Sequence, residues 1–151
     1  MLSDPAVSEY ALQTSKPFNT RRRCMQRRVL YATKSANSTA AVSPGVRVGD
    51  FLYTSGLGPQ DPITGATEGD IAAQTRVTLG KIRSVLRDGG LELADVVKVT
   101  VHLQDLNDFA AFDATYREFF SEPFPARTTV ESGLLGILVE IDVVACARAS
   151  Q

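Results

Sequence analysis

Tryptophan is absent from this 151-residue chain, cysteine occurs twice and histidine once. Two cysteines, Cys24 and Cys146, cannot build a disulfide framework, and a single histidine with no cysteine cluster leaves no metal-ligand set at recognisable spacing. No run of 18 apolar residues occurs, so no segment reads as a membrane-spanning helix. Excess charge is missing too: the formal net charge is −1, which gives no global pull toward nucleic acid or an anionic surface.

That neutrality hides an asymmetry. Residues 1–40 carry seven Lys/Arg against two acids, whereas 41–151 carry nine against fifteen, a net of −6. The basic leader, residues 1–25 with Arg21, Arg22 and Arg23, lacks the apolar core of a secretory signal. It reads as a disordered tail or extension ahead of an internal start at Met25, with an organelle transit peptide as the alternative. A cytoplasmic location is expected, or mitochondrion or plastid if the leader is a targeting signal. Residues 26–151 are expected to form one domain, and 44% hydrophobic content suits a packed core.

The patterning predicts an α+β chain. A short strand is expected at Val29–Thr33, then a Ser/Ala/Asn linker, then a strand over 46–55 in "VRVGDFLYTSG". Asp70 reads as the N-cap of a helix carrying Leu79, Ile82 and Leu86 on one face, ended by Gly89-Gly90. "ADVVKVTVHLQDL" alternates, with Val97, Val99, Val101 and Leu103 on one face and Lys98, Thr100 and His102 on the other. "NDFAAFDATYREFFSE" reads as a second helix capped by Asn107 or Asp108, its aromatic stripe directed to the core. Strands at 126–132 and 137–147 follow. Two helices cover one face of a mixed sheet of about six strands, yet "GILVEIDVVACA" is apolar on both faces. A homo-oligomer pressing open sheet faces together is therefore expected.

Arg127 stands alone, with no other basic residue between Arg117 and Arg148. A guanidinium on a mostly apolar strand needs an anion. Glu131 or Glu140 would make a structural ion pair; a ligand carboxylate would suit its bidentate donors. Residue physics alone places the structural pair first. Spacing suggests no Ser or Cys partner for His102, which reads as a surface or interface residue, and Cys146 reads as a buried small hydrophobe.

The segments "SPGVRVGDFLYTSG", "DIAAQTRVTLGKI", "GGLELADVVKVTVHLQDLNDFAAFDATYREFF", "FPARTTVES" and "VEIDVVACA", in this order over residues 28–148, resemble the Rid family of reactive intermediate deaminases, the YjgF-like enamine/imine deaminases. The resemblance implies a chorismate-mutase-like fold, a homotrimer with its sheets packed as a central barrel, and clefts between subunits. It implies hydrolysis of 2-imino and 2-enamino acids to 2-keto acids and ammonia with no cofactor or metal. Matched positions make Arg127 the carboxylate anchor, Glu140 the acid/base on the attacking water, Ser55 a cleft serine, and Asp113 the occupant of a position often held by asparagine. Thr129 stands where cysteine is frequent, its hydroxyl a candidate contact to water or substrate. Val42 replaces a cleft tyrosine, and the stretch between Glu131 and Glu140 is short and lacks Leu-Pro. On this reading Arg127 faces a subunit seam with no partner acid from its own chain. Two other functions stay open: a non-catalytic trimeric module binding small carboxylates, and a pathway-specific enamine deaminase of the aminomuconate kind. RNA binding is disfavoured by the acidic body.

Overall fold

A computed structural model describes residues 26–32 and 40–148. The basic leader, Cys24, the linker and Thr33 lie outside them. The elements run β1 (Arg27–Leu30), β2 (Gly45–Val48), β3 (Phe51–Thr54), α1 (Ile71–Asp88), β4 (Val96–Leu103), α2 (Phe109–Tyr116), β5 (Ala126–Glu131) and β6 (Val139–Cys146). They form one mixed sheet in the order β1-β2-β3-β6-β4-β5, in which only β4 and β5 are parallel.

α1 begins where expected: the Asp70 carboxylate accepts from Ala73 N at 2.9 Å, taking up one of the N–H groups that a helix start leaves unpaired. It ends at Gly89, and Gly90 at φ +78° turns the chain away in a conformation other residues resist. Leu79, Ile82, Val85 and Leu86 are fully buried against Leu52, Val99, Val101, Val139, Ile141 and Val143. Phe112 and Tyr116 of α2 join the same cluster, so both helices cover one face.

Cross-strand register shows what the other face carries. Lys98, Thr100 and His102 of β4 and Glu140, Asp142, Val144 and Cys146 of β6 alternate with the core residues and are only part-buried. Phe51 and Tyr53 of β3 lie beside Val144 and Cys146 and are each nearly half exposed. The predicted uncovered face is present, and Cys146 sits on it, half-buried, rather than in the core.

Several expectations need correction. The strand over 46–55 is a hairpin: Gly49, at φ +60°, and Asp50 form a tight turn, and the two halves pair antiparallel. The first strand starts earlier, at Arg27. Val97 is exposed because a register irregularity between Val96 and Lys98 gives Val96 the inward position. α2 is shorter than the aromatic stripe suggests, and its entry is a 3-10 turn, Leu106–Asp108. Asp108 occupies the N-cap position of α2 as expected but makes no side-chain cap bond, whereas Asp105 caps the 3-10 turn by accepting from Asn107 N at 2.8 Å. Among the described residues no helix is long and apolar enough to cross a membrane.

Candidate active site

β5 lies parallel to β4 with Arg127 opposite Val99, which turns the Arg127 side chain toward the helices. α2, in the crossover between these strands, lies under it. The guanidinium carbon is 4.6 Å from the Tyr116 ring centroid, 5.4 Å from Phe112 and 5.6 Å from Phe109. Its NH2 donates to Asp113 Oδ1 at 2.7 Å. Arg117, one turn beyond Asp113, donates through Nε to Oδ2 at 3.0 Å and rests over the Phe124 ring. Asp113 is held below the ordinary carboxylate value, first by the Arg127 hydrogen bond; burial opposes this as the next largest effect, and the Arg117 hydrogen bond and the two guanidinium charges add to the lowering.

The expectation of a guanidinium empty of any native acid is therefore overturned, and so are the two partners considered for it. Glu131 accepts from Leu106 N at 3.1 Å and holds the turn before α2. Glu140 lies on the opposite face of the sheet. The actual partner is Asp113, fourteen positions away in sequence. Arg127 still keeps donors: among the described residues neither its Nε nor its NH1 has a hydrogen-bond acceptor. A cavity of about 290 Å³ opens here, lined by Asp113, Tyr116, Arg117, Phe124, Pro125 and Arg127. The Tyr116 hydroxyl is buried without a partner among the described residues, and burial pushes its pKa up to about 12, so it stays a protonated donor. Thr129, two residues beyond Arg127 on the same face, also has a buried hydroxyl with no partner among the described residues.

Glu140 belongs to a second cluster. The segment after β3 is drawn beside β6 by a pair of bonds, Leu57 N to Ile141 O at 2.9 Å and Ile141 N to Leu57 O at 3.0 Å. This lays Gly56 directly under the Glu140 side chain, whose Cδ is 2.7 Å from where a Cβ on Gly56 would sit. The Ser55 hydroxyl donates to Ser43 O at 2.7 Å. From α1, Lys81 Nζ donates to Gly58 O and Gln60 O at 2.7 and 2.8 Å, holding the loop that leaves Gly56. His102 pairs with Glu140 across β4 and β6, yet its Nδ1 is bonded to Ser132 Oγ at 2.7 Å. The serine partner that spacing did not suggest is thus supplied by the chain just beyond β5.

The sheet separates the site residues into two groups. Arg127, Asp113 and Thr129 lie on the helix side, and Glu140 sits above Gly56, next to Ser55, on the open side. A single chain does not bring Arg127 and Glu140 to one substrate. Sequence reasoning missed Arg117, Tyr116 and Gly56. The i, i+4 spacing of Asp113 and Arg117 was a readable signal for the first; the other two depend on tertiary packing. Among the described residues no group of three His, Cys, Asp or Glu is placed to hold a metal ion.

The described residues thus form a six-stranded mixed sheet with two helices on one face and an arginine-bearing cleft at its β5 edge. Residues 33–147 match the family model described as Endoribonuclease L-PSP, and the chain belongs to that YjgF/RidA family. Over 120 residues it is 42% identical to the 2-iminobutanoate/2-iminopropanoate deaminase of Salmonella typhimurium, covering 74% of this chain and 94% of the relative. The crystal structure of the YjgF gene product of E. coli is 36% identical with a TM-score of 0.73, covering 80% of this chain and 99% of that one. E. coli TdcF, solved with bound serine, is 29% identical at the same TM-score, again covering 80% and 99%.

Proposed function

We propose that this protein is a hydrolytic deaminase that converts reactive 2-imino and 2-enamino acids to 2-keto acids and ammonia. The observation that carries this reading is the 42% identity to a 2-iminobutanoate/2-iminopropanoate deaminase across nearly that whole relative. The chemistry suits the residues present. Arg127 offers its unused N–H donors to the substrate carboxylate, while the ring packing keeps the guanidinium in place. An iminium carbon is already electrophilic, so the reaction needs a placed water and a proton acceptor. Glu140 takes the proton as water adds to C2, giving a carbinolamine, and returns it to nitrogen as ammonia leaves. Thr129, two residues beyond Arg127, and Ser55, beside Gly56, are assigned supporting roles, the Ser55 hydroxyl through the bond it donates to Ser43 O.

Because Arg127 and Glu140 lie on opposite faces of one sheet, a shared substrate requires Glu140 from a neighbouring copy. The half-exposed Phe51, Tyr53, Val144 and Cys146 provide an apolar surface for that contact, and a homotrimer is the assembly we infer. A binding role without turnover is the second reading, favoured by the Arg127–Asp113 pair and by a relative solved with bound serine. The family description names an endoribonuclease, but a net charge of −6 over residues 41–151 opposes a surface that tracks phosphates. The test is turnover of imino acids generated in place from serine or threonine by a dehydratase. Acceleration by the wild type that Arg127→Ala abolishes supports the proposal; calorimetric binding of 2-ketobutyrate with no imine turnover would leave only the binding role.

A further inference from the structure

The cleft at the β5 edge holds three formal charges within hydrogen-bonding reach of one another: Arg127, Arg117 and, between them, Asp113. An internal acid beside an arginine orients the guanidinium, but for capture of a simple carboxylate it does so at an electrostatic cost. That acid competes for the same donors and repels the incoming anion. Its charge persists across the physiological range, since both guanidinia hold it below the ordinary carboxylate value. Each Asp113 oxygen gives one lone pair to an arginine, and a second lone pair on each remains for another donor.

We propose that Asp113 makes this cleft selective for zwitterions, ligands with a cationic nitrogen on the carbon next to the carboxylate, over simple carboxylate anions. The inference rests on the reading of this cleft as the substrate site. A ligand carboxylate takes the unused N–H donors of Arg127 in the cavity that Arg127, Asp113 and Tyr116 line. Its adjacent nitrogen then points N–H donors at the remaining lone pairs of Asp113.

The consequence follows the reaction. An iminium acid and water give a keto acid and ammonium: C2 gains an oxygen from water, the C–N bond breaks, and four hydrogens leave on nitrogen. The substrate enters with net charge zero. The product keeps its carboxylate but has lost the cation that offset Asp113, so the cleft holds it less well. The carboxylate bonded to Arg127 thereby separates substrate from product.

The charge effect is measurable without turnover. Two ligands with the same carbon skeleton, 2-aminobutyrate as the zwitterion and 2-ketobutyrate as the anion, are titrated calorimetrically into the full-length protein at pH 7.5. One unit charge at about 6 Å, at an effective dielectric between a protein surface and water, alters affinity by about tenfold. Asp113→Asn is therefore expected to tighten 2-ketobutyrate about tenfold and to weaken 2-aminobutyrate. A merely structural role would weaken both alike. Arg117→Gln, at an exposed side chain that threatens folding less, should move the ratio the other way by costing the anion more than the zwitterion. An affinity ratio unchanged within twofold in both variants overturns the proposal while leaving the deaminase reading intact. Undiminished binding of both ligands by Arg127→Ala would overturn both together.

Discussion

Gly56→Ala isolates the placement of Glu140 from the presence of Glu140. A Cβ on Gly56 would lie 2.7 Å from Glu140 Cδ and 3.1 Å from Cγ, against an ordinary carbon contact of roughly 3.5–4.0 Å. The carboxyl carbon must retreat by about 1 Å. Gly56 is exposed and is not among the positive-φ glycines, so alanine brings no backbone strain. What moves is the end of a flexible side chain, and the cost to stability should stay below about 1 kcal/mol, a melting shift of no more than about 2–4 °C. Catalysis is less forgiving: a displacement of about 1 Å in a reacting group can cost about 10²-fold. In the imine-turnover assay, Gly56→Ala should melt close to wild type and lose about 10²-fold in rate, approaching Glu140→Gln. A well-folded Gly56→Ala with wild-type turnover, beside an inactive Glu140→Gln, would show that the contact with Gly56 does not position the base.

Other expectations follow from single observations. Thr129→Val removes a buried hydroxyl that has no partner among the described residues, so it should raise stability by about 1 kcal/mol in thermal melts while lowering turnover about tenfold; unchanged turnover would remove Thr129 from the site. Asp113 has a depressed pKa, so its ion pair contributes stability above its ordinary value of 3.8, and that contribution is lost as pH falls through the lower folded value. The melting difference between wild type and Asp113→Asn should hold steady from pH 7 to pH 5 and shrink below about pH 4; a gap constant down to pH 2.5 would refute the pairing. Val144→Glu, at the centre of the open face, should reduce the light-scattering mass from three times 16.3 kDa to one, and a wild type already monomeric would contradict the inferred assembly.

Local signals carried much of this fold. Asp70 and Gly89-Gly90 bounded α1 because capping and chain reversal depend on residues within one turn. The alternation of β6 and most of β4 was legible because a strand has only two faces, and counting helices then exposed an uncovered face. The failures have a common cause in contacts between distant elements. Gly49-Asp50 looks like part of an alternating run until pairing requires a turn, and a β-bulge that puts Val97 outward is visible only against β6. Arg127 was identifiable as a residue in need of an anion, but its partner depends on how α2 rotates under β5. The Glu140–Gly56 contact spans the register of β3 on β6, and no local pattern encodes it.

The most direct measurement is the decay of 2-iminopropanoate and 2-iminobutanoate, formed in place by a dehydratase, with wild type, Arg127→Ala and Glu140→Gln compared at equal concentration. Faster loss of both imines is expected with the wild type, and the uncatalysed rate with either variant. Loss of imine at the same rate with wild type and Arg127→Ala would contradict that expectation.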